Sequence, residues 1–295
     1  MSERKITPSF DLYKTLDNDK RFEFSLLEES YHPYDASLPH RHNYFEILLF
    51  KESGGTHEID FAAYPIKENS LHFISPEQVH VMRREKHVTG YVLSFTKEFF
   101  LEEMNGSAFL DSLPFFNNPY TSPVAGLSNS ELQKQLSEII SKMQQEYFSS
   151  NEDKTELLLP YLSIFLVLAK RVYASETVSG KSIPVRSDNT YKFKKLVEQN
   201  FRQMKSVAEY AEILNITSGH LNDTVQKEIG KTTSEIIHER IILEAKRLLY
   251  HSPKSVKEIA YELLYDDPSY FARFFKTHTQ LTPEQFRKRI REKYQ

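Results

Sequence analysis

The chain has 295 residues, more than one typical domain requires and enough for two. Its 39% apolar and 27% charged composition is that of an ordinary globular protein and excludes collagen-like, disordered and membrane classes. Cysteine is absent, which excludes a disulfide scaffold, a thiolate zinc site and a cysteine nucleophile and is compatible with a reducing cytoplasm.

The opening MSERKITPSF has no apolar core of the kind a secretory leader needs. The longest apolar stretch, Leu157 to Ala169, is about a dozen residues interrupted by Pro160, against the ~20 that span a bilayer. A cytoplasmic protein with no membrane partner is therefore expected. The formal net charge of −3 is unevenly spread. From Thr190 onward 19 Lys and Arg outnumber 14 Asp and Glu, while the chain before it carries an acidic surplus of eight. A basic C-terminal piece on an acidic body suggests a polyanion as partner of the C-terminus.

The first ~100 residues read as short strands rich in aromatic and β-branched residues: Phe22–Leu27, Tyr44–Phe50, Thr56–Phe61, Leu71–Ile74 and Gly90–Phe95. Turn signals separate them at His32-Pro33, Ser53-Gly54-Gly55, Lys67-Glu68-Asn69 and Ser75-Pro76, as in an antiparallel sandwich or barrel. Beyond about residue 128 the period becomes helical. Leu132, Leu136, Ile139, Met143 and Tyr147 form one apolar stripe, suited to packing on the barrel or to a dimer seam. Glu156–Tyr173 is apolar nearly all round and reads as a buried helix. The predicted organisation is α+β and multidomain: a sensing and dimerisation domain over 1–175, a linker over 176–190, and an all-helical domain over 191–295.

Helix starts in that last domain are marked by capping boxes at Ser206/Glu209, Thr232/Glu235, Ser255/Glu258 and Thr282/Gln285. Asp267 followed by Pro268 adds a further N-cap. The segment Ser206-Val-Ala-Glu-Tyr-Ala211 recurs as Ser255-Val-Lys-Glu-Ile-Ala260. Each copy is followed by an apolar i, i+4 pair, Leu221/Val225 and Phe271/Phe275. A short helix, a tight turn and a second helix, repeated, is the tandem helix-turn-helix pattern. A long helix over about Ser234–Tyr250 joins the copies.

These segments, SVAEYAEILNITSGHL, KTTSEIIHERIILEAKRLL and SVKEIAYELLYDDPSYFARFFKTHTQLTPEQFRKR, resemble the DNA-binding domain of the AraC/XylS family of transcriptional regulators. The resemblance implies sequence-specific binding to double-stranded promoter DNA, no enzymatic activity, and an N-terminal domain that takes a small-molecule effector. It departs from the family at Leu264, where glycine is usual, and at Asp223, where an arginine often stands. Gly219 has no side chain to offer a base. The second unit is therefore expected to dominate base readout, with Arg273 set for a guanine and Ser269 and Tyr270 near the helix start. In the first unit Ser218, Asn222 and Gln226 are the candidate base contacts. Lys227, Lys231 and Lys276 are candidate phosphate contacts, which position without specifying.

In the N-terminal half, Pro39-His40-Arg41-His42-Asn43-Tyr44-Phe45-Glu46 contains H-x-H-x3-E, and His80 follows. This resembles the cupin motif, although the flanking glycines of that motif are largely missing. The predicted cupin-like barrel uses His40, His42, Tyr44, Glu46 and His80 as an effector pocket, with no cofactor. His40, His42, Glu46 and His80 stand as the metal-ligating alternative, and purely structural histidines as a third. A homodimer is expected, and a contact with RNA polymerase is open, for which the acidic body offers no marker. Two other functions stay open: a DNA-binding regulator whose barrel only dimerises, and a metal-dependent cupin enzyme with a helical appendage.

Overall fold

The computed structural model describes residues 9–10, 21–28, 38–101, 106–116, 122–178 and 188–293. They fall into two compact units, one within residues 9–182 and one from 183 onward. The turn at His32-Pro33 and most of the expected linker, 179–187, lie outside the described residues.

The described residues of the first unit hold ten short strands: β1 (Ser9–Phe10), β2 (Phe22–Leu26), β3 (Arg41–His42), β4 (Phe45–Phe50), β5 (Gly55–Ile59), β6 (Ala62–Pro65), β7 (Ser70–Ile74), β8 (His80–Arg84), β9 (Gly90–Phe95) and β10 (Val124–Gly126). An antiparallel sheet in the order β10-β7-β4-β9-β2 packs against a three-stranded one, β6-β5-β8, and β1 pairs with β3 in parallel. Four of the five strands expected from sequence end within a residue of their predicted limits. The other, Thr56–Phe61, stops at Ile59 because Asp60 and Phe61 both take positive φ, 46° and 70°. Two successive left-handed residues make a tight hairpin, here written Asp-Phe rather than Asn-Gly, so β6 was missed.

Every residue of β4 is buried, since the sheet is covered on both faces. Phe45, Ile47 and Leu49 join Phe22, Phe73, Phe95 and the helices in one core. Leu48 and Phe50 join Ile59, Ile74 and Val92 in a second core between the two sheets. Because strand side chains alternate, Glu46 shares a face with Leu48 and Phe50 and so points between the sheets.

After β9 come α1 (Glu98–Leu101), α2 (Gly106–Asp111), α3 (Ser130–Tyr147) and α4 (Lys154–Val178). Asn129 caps α3, its side-chain oxygen accepting from the amides of Glu131 and Leu132. The buried stripe of α3 is Leu136, Ile140 and Met143; Leu132, Ile139 and Tyr147 lie at its half-buried edge. The expectation that α4 is buried all round is corrected. Leu158, Leu162, Phe165, Leu166 and Ala169 are buried, but Leu157, Ile164 and Val167 are 44%, 46% and 38% exposed. By length and composition α4 would suffice to cross a bilayer, yet its buried face belongs to the core formed with the sheet.

The second unit is entirely helical in its described residues: α5 (Asp188–Asn200), α6 (Val207–Ile213), α7 (Ser218–Ile229), α8 (Thr233–His251), α9 (Val256–Glu262), α10 (Pro268–Thr279) and α11 (Pro283–Lys293). The cap signals form as bonds. Glu235 and Glu258 each accept from their N-cap amide at 2.7 Å, while Thr232 and Ser255 accept in return at 3.2 Å. Gln285 and Thr282 repeat the exchange, and Glu209 accepts from the amide and hydroxyl of Ser206. Ala211 and Ala260 are buried where the paired helices cross, beside the fully buried Leu221/Val225 and Phe271/Phe275. Arg240 binds Glu198 at 2.8 Å and Glu244 at 3.1 Å, tying α8 to α5. Arg287 donates to the carbonyls of Leu249 and Lys254, so α11 is pinned to the end of α8 and the segment after it.

Candidate functional site

Two places concentrate chemistry, one in each unit. In the helical unit, α7 and α10 are the second helices of the two helix-turn-helix repeats, and they expose matching faces. On α7 the exposed positions are Ser218, Gly219, His220, Asp223, Gln226 and Lys227; on α10 they are Ser269, Tyr270, Arg273, Lys276, Thr277 and His278. Counting from the N-caps Thr217 and Asp267, Arg273 occupies the place of Asp223 and Lys276 that of Gln226. The α10 face can donate a bidentate pair to guanine and neutralise phosphate, whereas the α7 face carries one negative and no positive charge before Lys227.

Two predicted contacts are held by the fold. Asn222 is half-buried, and its carbonyl oxygen accepts from both the amide and the hydroxyl of Thr233 at 3.2 Å, anchoring the start of α8. It lies on the same i, i+4 row as Ser218 and Gln226, which are exposed, but is itself half-buried and engaged by Thr233. Lys231 is ion-paired with Glu239, at 2.7 and 2.8 Å to its two oxygens. His220, at the place of Tyr270, is fully on the outer face and was missed. Its position one residue before the buried Leu221 marks it as outward-facing.

Both turns leading to these helices use a left-handed residue, Asn215 at φ 54° and Leu264 at φ 55°. The following amides, of Ile216 and Tyr265, reach back to the carbonyls of Ala211 and Ala260 at 3.0 and 2.9 Å, closing the ends of α6 and α9. The place usually held by glycine is thus in the conformation that favours glycine, with leucine in it.

In the β unit the predicted pocket residues gather between the sheets. His40 and His80 are bridged backbone to backbone, at 2.9 and 2.8 Å, so their rings lie 4.3 Å apart. His42 is fully buried. Its Nδ1 donates to the carbonyl of Tyr44 at 2.8 Å, and the Tyr44 ring stacks on it at 3.8 Å. His42 Nε2 lies 3.9 Å from a carboxylate oxygen of Glu46, beyond hydrogen-bond range, and has no hydrogen-bond partner among the described residues. One ligand atom each from His42, Glu46 and His80 lies within 4.8 Å of the others. His40, Glu46, His57 and His80 line a cavity of about 10 Å³ that is closed by apolar side chains such as Leu48 and Val92.

Two histidines that sequence reading missed extend this cluster. His57 Nε2 meets His80 Nδ1 and His57 Nδ1 meets His72 Nδ1, both at 3.1 Å. Burial pushes His57 down to about 4, with the neighbouring His40 and His42 adding to the effect and Glu46 opposing it. Burial, reinforced by His57, pushes His72 down to about 2. Both are neutral near pH 7. The signal was available in the alternation His57-Glu58-Ile59 and Leu71-His72-Phe73, which puts each histidine on the inner face of its strand.

Residues 24–162 match the model of the AraC-like ligand binding domain, and residues 210–289 match that of a helix-turn-helix domain. The chain belongs to the AraC family of transcriptional regulators. It is a DNA-binding regulator with a ligand-binding N-terminal domain, in a family of regulators rather than enzymes. Among its relatives are the transcriptional activator RhaR of Enterobacter sp. (strain 638), 20% identical over 88% of this chain and 90% of that one, and the regulator YfiF of Bacillus subtilis (strain 168), 23% identical over 85% and 79%. Of solved structures, ToxT from Vibrio cholerae aligns with 91% of this AraC-family chain and 98% of its own, at 16% identity and a TM-score of 0.42.

Proposed function

We propose that this regulator reads promoter DNA chiefly through α10, with Arg273 contacting a guanine, Ser269 and Tyr270 flanking it, and Lys276 on the phosphate backbone. The observation that carries the reading is the pair of matching exposed faces, of which only that of α10 is basic. On α7, Ser218 and Gln226 supply weaker contacts, Lys227 reaches a phosphate, and Asn222 acts on DNA only through the Thr233 anchor; Lys231, just after α7, reaches a phosphate by exchanging its Glu239 partner for it. The N-terminal unit, over about 1–175, senses an effector in the chamber formed by His40, His42, Tyr44, Glu46 and His80, and effector binding shifts how the DNA-binding unit, over about 191–295, is presented. The protein works in the cytoplasm as a homodimer, with α4 the surface a second copy covers, and any contact with RNA polymerase is made once it is seated on the promoter.

Genome-wide occupancy of the tagged protein identifies the site, and binding to that site is then measured against salt. A steep negative slope of affinity with salt is expected, since several phosphates are neutralised. Arg273→Ala is expected to cost ~1–3 kcal/mol on the cognate site and to relax preference at one base pair. Unchanged affinity and preference in that variant would remove Arg273 from base readout.

A further inference from the structure

The two helix-turn-helix repeats share α8, and both pack against it. For two recognition helices to enter neighbouring major grooves, their separation and angle must match one helical turn of DNA, ~34 Å. A shared helix fixes where each repeat is attached; a second contact away from α8 fixes how it is turned. Lys205 makes such a contact. It stands in the first repeat, immediately before Ser206, the N-cap of α6. Its ammonium donates to the carbonyl of Leu264 at 2.5 Å and lies 4.6 Å from the centre of the Tyr265 ring, both in the turn that leads into α10 of the second repeat. We propose that Lys205 is a positioning residue, a clamp that joins the two repeats directly and sets the separation and angle of α7 and α10 on DNA. The proposal rests on the reading that both α7 and α10 contact DNA.

Both ends of the clamp are held. On the first side, one carboxylate oxygen of Glu209 accepts from the amides of Lys205 and Ser206 at 3.2 and 2.8 Å, which fastens the lysine backbone to the capping box of α6. The Tyr210 hydroxyl donates to the carbonyl of Met204 at 2.9 Å and holds the residue before it. On the second side, Tyr265 is buried, and its ring centre lies 6.0, 5.3 and 5.7 Å from those of Tyr270, Phe271 and Phe274 of α10. A displacement of Tyr265 is therefore passed to the recognition helix. The contact combines a charge-assisted hydrogen bond with a cation over a ring face. Burial lowers the pKa of the Lys205 ammonium, while Asp266 and Glu209 pull it the other way, so the contact is kept against a desolvation cost.

The duplication supplies a comparison. Counted from the N-caps Ser206 and Ser255, the residue matching Lys205 is Lys254. Its ammonium binds Glu262, in its own α9, at 2.7 Å. The place of Glu262 in the first repeat is taken by Ile213, whose side chain has no acceptor. The same lysine is thus engaged within its repeat in one copy and across the repeats in the other.

The chain has no cysteine, so two introduced thiols are its only labelling sites. Lys227→Cys and Thr277→Cys, at matching exposed positions of α7 and α10, carry spin labels in the full-length, DNA-free protein, diluted with unlabelled chain. Double electron–electron resonance is expected to give one narrow distance distribution. Lys205→Met, which keeps the stem and loses the donor, should broaden it at least twofold, and Lys205→Arg should keep it narrow. Equal widths in Lys205→Met and its parent overturn the clamp. If Lys205→Met does not fold by circular dichroism, Lys205→Gln carries the test. The unlabelled proteins are then bound to the operator with one base pair inserted between the parts read by α7 and α10. That insertion moves one part by ~3.4 Å and turns it by about a tenth of a helical turn. The wild type is expected to lose tenfold or more in affinity and Lys205→Met less than threefold, with Lys205→Arg restoring the penalty. An unchanged penalty in Lys205→Met overturns the positioning role. So does a salt dependence of log affinity flattened by about one in that variant, which would make Lys205 a phosphate contact. Absence of DNA binding by the wild type counts against the DNA reading, while the label distances still decide the clamp.

Discussion

Single residues set local costs that the rest of the fold absorbs. Leu264 holds a left-handed backbone at φ 55° with its side chain 53% exposed, so it pays conformational strain for little burial. That strain is ~1–2 kcal/mol for a non-glycine residue, against ~0.4–1 kcal/mol of extra chain freedom that glycine brings to the unfolded state. Leu264→Gly is therefore expected to stabilise the helical unit by about 0.5–1 kcal/mol, read as a higher urea midpoint. A lower midpoint would show that the leucine side chain supports the turn. His72 carries the opposite kind of cost. Its folded pKa is depressed to about 2 from an ordinary 6.5, so its contribution is fully present above about pH 6.5. Below that, the unfolded chain takes up a proton that the folded chain refuses, and stability falls by up to ~1.4 kcal/mol per pH unit. Relative to the intrinsic rate, which itself slows with falling pH, hydrogen exchange of the β4 and β7 amides should accelerate as pH is lowered through this window. His72→Gln should flatten that acceleration; an identical acid response in the variant would remove His72 as its source.

At the scale of elements, the outer face of α4 is the feature that packing within the unit does not explain. Leu157, Pro160, Ile164 and Val167 are all exposed and lie on a three-four alternation that Arg171 and Ala174 continue, the spacing that lets one helix seam meet another. Ile164→Glu is expected to convert a dimer to monomer in sedimentation velocity with little change in thermal midpoint, since the side chain is already half in water. A dimer that persists in that variant would place the contact elsewhere. The same helix shows where sequence reading falls short. Apolar all round implied burial all round, but the pattern does not say whether the second face is covered by this chain or by another. By contrast, α6 to α11 were legible almost to the residue, because caps, the buried pairs and the duplication agree at every level. β6 and β8 were not. One begins at an Asp-Phe turn with no glycine or asparagine to announce it, and the other, His-Val-Met-Arg-Arg, is polar on one face and short. On the recognition helices the exposed positions followed from the period, but the engagement of Asn222 by Thr233 depends on where α8 begins in space.

Across the whole molecule, the acidic and basic halves of the sequence correspond to two units, each with its own buried residues, so ligand chemistry and DNA chemistry are built independently. The H-x-H-x3-E motif falls at the histidine cluster between the sheets, where His40 and Glu46 line the small cavity. It could not reveal the chamber's volume or the two further histidines behind it, because both depend on how β5 and β7 register against the strands beside them. The unequal faces of α7 and α10 carry a consequence for the genome rather than the protein. If one helix holds an arginine where its twin holds an aspartate, the information in the operator is lopsided. Aligned target promoters should show a few tightly constrained positions under α10 and a loosely constrained stretch under α7. Spontaneous promoter mutations that abolish regulation should then cluster in one half of the site, and new promoters could be recruited by acquiring that half alone.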